Sequence, residues 1–176
     1  MPETIIRPAT ASDVAAITGI YAEAVIHGTA TFEIVPPDEA EMGRRMATLV
    51  EGGFPYLVAV RGGRVAGYAY AGLYRPRPAY RFTLEDSIYL DAEARGQGIG
   101  GALMRELLQA SAAQGYRQMI AVIGDSENLA SIRLHRSAGF RPVGTFEAVG
   151  FKFGRWIDSV LMQRRLGEGA ATLPKD

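Results

Sequence analysis

The 176-residue chain contains no cysteine. That absence removes disulfides, thiolate zinc sites, iron–sulfur clusters and a cysteine nucleophile together. Histidine is scarce as well: His27 and His135 are the two present, so a multi-histidine metal centre is not expected. Neither sign of charge is in excess, with 19 Lys and Arg against 19 Asp and Glu, which argues against a general nucleic-acid binder. No apolar run approaches the roughly 18 residues that a membrane-spanning helix needs. Met1 to Asp13 mixes Glu3, Arg7 and Pro8 with short apolar pieces, unlike a secretory signal. The expectation is a soluble, cytoplasmic protein with no metal, no nucleic-acid partner and no membrane partner.

What the chain does have is enough apolar residue, 48%, to bury a core at a length suited to one domain. Residues 1–166 are read as that domain. Residues 167–176 offer little to pack and are expected to form a flexible tail. A short strand at Thr4 to Arg7 precedes a capping-box pattern at Thr10 to Asp13, which predicts a helix over Ser12 to Ile26 stopped by Gly28. A loop to Pro37 follows, then a helix from about Asp38 to Val50. Two strand-like runs, Pro55 to Val60 and Val65 to Leu73, flank Gly62-Gly63, a hairpin signal. Phe82 to Leu90 reads as a strand, and apolar spacing after Gly98 reads as a helix to near Gly115. A strand at Gln118 to Ile123, a helix at Asn128 to Ala138 and strands at Phe140 to Val149 and Arg155 to Gln163 complete a mixed α/β domain.

Gly96-Gln97-Gly98-Ile99-Gly100-Gly101 matches G-x-G-x-x-G between a strand and a helix. A dinucleotide fold would need the strand to run straight into the first glycine, and Asp91 to Arg95 intervene. It would also need further βα units for which too few residues remain. Either way, small residues before a helix expose backbone N–H groups beside a partly positive helix end, which suits a pyrophosphate.

The stretch Arg95 to Gly100 also fits R/Q-x-x-G-x-G/A, the acyl-coenzyme A signature of the GCN5-related N-acetyltransferase (GNAT) superfamily, and here the chain resembles that family. Ile88 to Asp91 fits its fourth strand, Asn128 to His135 with Gly139-Phe140 fits its second signature, and Ile6 to Ala9 with Asp13 fits its usual start. Tyr68 to Gly72, Arg75 to Tyr80, Ala121 to Gly124 and Gly150 to Lys152 followed by Trp156 are similar to the phosphinothricin and methionine sulfoximine acetyltransferase branch. The resemblance implies a mixed sheet of about seven strands flanked by about four helices. It also implies acetyl-CoA as co-substrate, direct acetyl transfer to the α-amine of methionine sulfone, methionine sulfoximine or phosphinothricin, and a homodimer. Two alternatives stay open: another amine substrate, such as an aminoglycoside, a polyamine or a protein N-terminus, and a non-catalytic acyl-CoA-binding sensor.

Such a transfer needs an amine that loses a proton, a polarised carbonyl and a protonated leaving thiol. Glu85 is the first candidate base: an acidic residue in mid-strand, on the face of Thr83, Ser87 and Tyr89 by strict alternation, with Asp86 opposite and a weaker candidate. The branch carries a catalytic glutamate at the matching place. His135 stands where many relatives carry a tyrosine that protonates the leaving thiolate, and histidine titrates near neutrality. The backbone of Ile88, Tyr89 and Leu90 is expected to pair with the pantetheine arm and polarise the thioester. Arg95, Gly96, Gln97, Gly98, Gly100 and Gly101 are expected at the pyrophosphate, and Asn128 at the pantetheine or phosphate region. Arg75 and Arg77 are candidates for substrate anions, and Phe32 and Tyr80 match branch positions lining the substrate pocket.

Overall fold

A computed structural model describes residues 3–174. Seven strands form one sheet in the order β1-β2-β3-β4-β5-β7-β6. They are β1 (Thr4–Pro8), β2 (Tyr56–Arg61), β3 (Arg64–Leu73), β4 (Thr83–Leu90), β5 (Gln118–Gly124), β6 (Arg141–Lys152) and β7 (Arg155–Arg165). Four α-helices, α1 (Val14–His27), α2 (Glu39–Glu51), α3 (Ile99–Ala113) and α4 (Leu129–Ser137), cover it. Strand and helix number agree with the expected architecture.

The first helix starts two residues later than its pattern predicts. Asp13 accepts from the Thr10 backbone N–H at 2.8 Å and from both terminal nitrogens of Arg7 at 2.7 and 2.8 Å. That clamp tightens Ala11–Asp13 into a 3-10 turn before α1 begins. α1 ends where Gly28 turns to extended backbone, and a Cβ there would lie 2.9 Å from the Ala24 carbonyl oxygen, so the position favours glycine. Asp38 caps α2 by accepting from the Glu41 N–H at 2.8 Å. The β2–β3 hairpin turns on Gly62 and Gly63, both at positive φ, as the two-residue hairpin signal requires.

Two apolar layers sandwich the sheet. On one side Leu84, Ile88 and Leu90 of β4 pack with Leu103, Met104 and Leu107 of α3. On the other, Tyr89 joins Tyr68, Tyr56 and Val58 beneath α1 and α2. The alternation expected along β4 therefore holds, and its register with β3 runs unbroken from Leu84 to Leu90.

What positions the site is a divergence. β4 pairs in parallel with β5 only from Thr83 to Glu85, against Gln118 to Ile120. Beyond Glu85 the two strands separate, and β5 continues against β7 as far as Gly124. The backbone of β4 past Glu85 therefore presents a free edge to the gap.

The last hairpin extends further than its sequence pattern implies. β6 runs to Lys152 and turns through Phe153 and Gly154, at φ 53° and 73°. A phenylalanine at positive φ is rare, so Gly154 is the one residue of that dipeptide that signals the turn. β6 carries bulges between Pro142 and Gly144 and between Phe146 and Gly150. Positions 175 and 176 of the expected tail lie outside the described residues. Before them, Arg117 donates to the Gly169 carbonyl, the Thr172 hydroxyl and the Leu173 carbonyl at 3.0–3.4 Å.

Candidate active site

The gap between β4 and β5 holds two adjoining cavities. The inner one, about 160 Å³, is lined by Glu85 to Tyr89 of β4, Val122 to Gly124 of β5, and Ser131 and His135 of α4. Ala30 and Thr31 close it from the α1–α2 connection. The outer one, about 450 Å³, runs along Ile88, Tyr89 and Leu90 to the glycine loop and α4. Ile88, Tyr89, Asn128 and Ser131 border both.

Glu85 and His135, 50 residues apart in sequence, thus share one cavity. Glu85 is half-buried. Burial raises its carboxyl pKa, the neighbouring Asp86 charge raises it further, and Arg75 opposes both. His135 is buried, and its ring touches Phe140 edge-on at 5.0 Å. Its Nδ1 lies 2.8 Å from the Ser131 carbonyl oxygen and its Nε2 lies 2.9 Å from Asp86 Oδ2. Burial pulls its pKa down, but the bond to Asp86, the charge of Asp86 and the Ser131 carbonyl outweigh it, so the net direction is up. Asp86 is the residue the sequence reading undervalued. It occupies the apolar phase of β4 between Leu84 and Ile88, and an acid in a core-facing phase is itself the signal of a buried partner.

The glycine loop is built for close approach. Gly96 and Gly98 hold φ of 72° and 80°, and a Cβ on either would meet nothing within 4 Å, so their role is conformational and leaves open space. Ala102 makes the first backbone bond back to Gly98, leaving the N–H groups of Ile99, Gly100 and Gly101 at the helix mouth. Arg95, Gly96, Gly98, Gly100 and Gly101 all line the outer cavity. Gln97 does not: its side chain turns away to Arg61 and to the Glu93 carbonyl. Asn128 borders both cavities, but its side-chain oxygen is already used, accepting from the Ser131 N–H at 3.3 Å as the cap of α4.

The remaining candidates lie outside these cavities. Phe32 packs on the wall: a Cβ on Gly124 or Gly150 would lie 3.1 or 2.6 Å from its ring. Arg75 stacks on Tyr74 at 5.0 Å, and its charge reaches Glu85. Arg77 is exposed and precedes a 3-10 turn at Pro78–Tyr80 without a side-chain bond to it, while Tyr80 meets Tyr74 edge-on at 5.7 Å. Neither lines the Glu85–His135 cavity. The sequence reading missed the fixing of the Gly28 to Pro37 loop. Tyr21 Oη bonds Thr31 at 2.9 Å and Glu33 at 3.1 Å, and Arg45 holds Glu33 at 2.6 Å. No group of three or more potential metal ligands occurs among the described residues.

A divided sheet edge, a glycine loop at a helix mouth and an acid beside a buried histidine thus surround one pair of adjoining cavities. A profile of the acetyltransferase (GNAT) family matches residues 14–140. The chain belongs to that family. This acetyltransferase is 54% identical over 170 residues to a phosphinothricin N-acetyltransferase of Alcaligenes faecalis, covering 97% of this chain and 86% of the relative. It is 41% identical over 162 residues to an L-methionine sulfoximine/L-methionine sulfone acetyltransferase of Pseudomonas aeruginosa, covering 92% and 94%. A crystal structure of a GNAT superfamily phosphinothricin acetyltransferase from Sinorhizobium meliloti in complex with AcCoA superposes with a TM-score of 0.96 at 53% identity, over 98% of this chain and 94% of that one.

Proposed function

We propose that this acetyltransferase uses acetyl-CoA to acetylate the α-amine of small amino-acid analogues: phosphinothricin, methionine sulfoximine and methionine sulfone. The observation that carries the reading is Glu85, a half-buried base with a raised pKa, at the point where β4 and β5 part. The names of the relatives at 54% and 41% identity supply the substrate class.

The residues fit an acyl-CoA. The free backbone edge at Ile88 to Leu90 accepts an extended pantetheine arm as an added strand. The left-handed glycines and the α3 N-terminus take the pyrophosphate, with Arg95 alongside. A thioester in this channel brings an activated acetyl group beside the inner cavity. Glu85 takes the proton of the attacking amine. His135 serves the leaving sulfur. Arg75, whose charge already reaches Glu85, is the group suited to the carboxylate or phosphinate of a substrate whose amine lies at Glu85. Arg77, Tyr80 and Phe32 would complete the amine pocket from outside the Glu85–His135 cavity. A cationic polyamine or aminoglycoside would meet Arg75, Arg77 and Arg81 on that loop, which favours the anionic amino-acid class.

The reading includes one catalytic domain over residues 1–166, a cytoplasmic site of action where acetyl-CoA is made, and a homodimer. The dimer is supported by β6, an edge strand whose exposed residues include Val143, Phe146, Val149 and Phe151, joined by Phe153 and Trp156. Apolar side chains massed on an open edge call for cover, and a second copy of the chain supplies it. The test of function is product identity. Incubated with acetyl-CoA and methionine sulfone, the protein should yield the α-N-acetyl product by mass spectrometry. Acetyl-CoA bound without any acetylated amine would favour the sensor instead.

A further inference from the structure

Asp86 has no place in the mechanism above, yet it is one of the most enclosed charged residues of the fold: its side chain is 1% exposed. Oδ2 meets His135 Nε2 at 2.9 Å, and Oδ1 has no hydrogen-bond partner. The other ring nitrogen settles where the protons are. Nδ1 faces the Ser131 carbonyl oxygen at 2.8 Å, an atom that can only accept, so Nδ1 carries a hydrogen. The Ser131 hydroxyl, at 3.3 Å, is the weaker contact. With Nδ1 protonated, the contact between Nε2 and the carboxylate is a hydrogen bond only if a second proton sits between them. The pair therefore holds one extra proton, and the carboxylate favours its residence on the ring.

We propose that Asp86 is a positioning residue that keeps the His135 ring doubly protonated at the pH of catalysis, so that an imidazolium rather than a neutral ring stands beside the departing CoA sulfur. The proposal rests on the acetyl-transfer reading. As the amine nitrogen bonds to the acetyl carbon, the carbon–sulfur bond breaks. Glu85 receives the proton lost from nitrogen, the charge of the His135 imidazolium offsets the negative charge on the departing sulfur while its two N–H groups stay on Ser131 and Asp86, and the thiolate takes its proton from solvent. Glu85 then returns its proton to solvent, so the cycle consumes no net proton. Glu85 and Asp86 are adjacent on β4 but project to opposite faces, which separates the base from the anchor of the imidazolium by one residue of strand.

The surroundings of the pair contain few competing charges. β4 brings Glu85 and Tyr89, α4 brings Ser131, β5 brings Val122 and Ile123, and the α1–α2 connection brings Ala30 and Thr31. β3 places Ala71 opposite Asp86, and Phe140 lies on the ring of His135. Glu85 is the charged neighbour among these, and Arg75 and Tyr70 interact with Glu85.

With two histidines in the chain, His27 and His135, nitrogen-15 NMR of the imidazoles tests this directly. In the wild-type protein with no ligand, His135 should show both ring nitrogens protonated at pH 7. In Asp86→Asn, the midpoint of that titration should fall by about one pH unit or more. In the thiol-release assay the alkaline limb of kcat should move down with it, kcat at pH 8 should fall about tenfold, and KM for acetyl-CoA should stay put. A neutral His135 ring at pH 7 in the wild type overturns the proposal, and that result needs no variant to fold. An unshifted midpoint in folded Asp86→Asn also overturns it. If instead the midpoint shifts but the wild type acetylates no amine, the acetyl-transfer reading has failed and the pair stands as a structural fact.

Discussion

Lys152 Nζ donates to the carbonyl oxygen of Gly28 at 2.7 Å, joining the edge strand β6 to the α1–α2 connection across 124 residues. A second bond reaches the Thr31 carbonyl at 3.0 Å. The lysine is buried, and that burial lowers its pKa. Its carbonyl partners lie in the segment that roofs the inner cavity with Ala30 and Thr31. Lys152→Met keeps most of the volume and removes the donor. The roof should loosen while the acyl-CoA groove stays intact. KM for the amine should rise about tenfold, equivalent to about 1.4 kcal/mol, with KM for acetyl-CoA little changed. Steady-state kinetics with each substrate varied in turn checks this.

Glu85→Gln should lose about 10²–10⁴-fold in kcat, the range for a removed general base, while acetyl-CoA affinity by calorimetry stays within twofold. The raised pKa fixes the sign of the pH effect. The base works when ionised, so wild-type kcat should fall on the acid side with a midpoint above the ordinary glutamate value. That limb should vanish in the variant.

Gly98→Ala separates binding from chemistry. The new Cβ meets nothing, but φ of 80° costs a non-glycine residue about 1 kcal/mol. Relaxation of that strain should pull the loop away from the phosphate position. Acetyl-CoA affinity should drop, and kcat at saturating acetyl-CoA should not.

Asp13 is held at a pKa of about 2, chiefly by its bonds to Arg7 and then by those to Thr10, against the opposing effect of burial. Its folded-state pKa lies below the unfolded value, so the stabilisation is complete above about pH 4 and is lost as pH falls toward 2. The shift corresponds to about 2 kcal/mol. Urea unfolding between pH 5 and pH 2.5 should show a steeper loss of stability in the wild type than in Asp13→Asn.

The apolar edge makes a mass prediction. The wild type should sediment at twice the chain mass of 19.0 kDa. Trp156→Glu, which places a charge beside Phe151 across a ring pair 5.1 Å apart, should sediment as the single chain. A monomeric wild type at micromolar concentration would contradict the dimer.

Local chemistry made much of this fold legible in sequence. The Gly62-Gly63 turn, the Asp38 cap, the phase of β4 and the loop before α3 each depend on residues a few positions apart. What was not legible is long-range. The Asp86–His135 bond joins positions 49 apart, and the Lys152–Gly28 bond joins positions 124 apart. Neither has a local pattern, although an acid in the apolar phase of β4 was a trace of the first. The Phe153-Gly154 turn was half hidden, because Gly154 signals it but phenylalanine rarely adopts positive φ. Gln97 shows the limit of motif reading: it sits inside the glycine signature, yet its side chain serves Arg61 and Glu93 rather than the groove.

The most direct test of the central claim is thiol release from acetyl-CoA with phosphinothricin, methionine sulfone, methionine sulfoximine and spermidine compared side by side in wild type and Glu85→Gln. The account predicts that the three amino-acid analogues are acetylated with kcat/KM well above that for spermidine, and that Glu85→Gln lowers kcat for all three by about 10²–10⁴-fold. Preference for spermidine, or full turnover in Glu85→Gln, would contradict it.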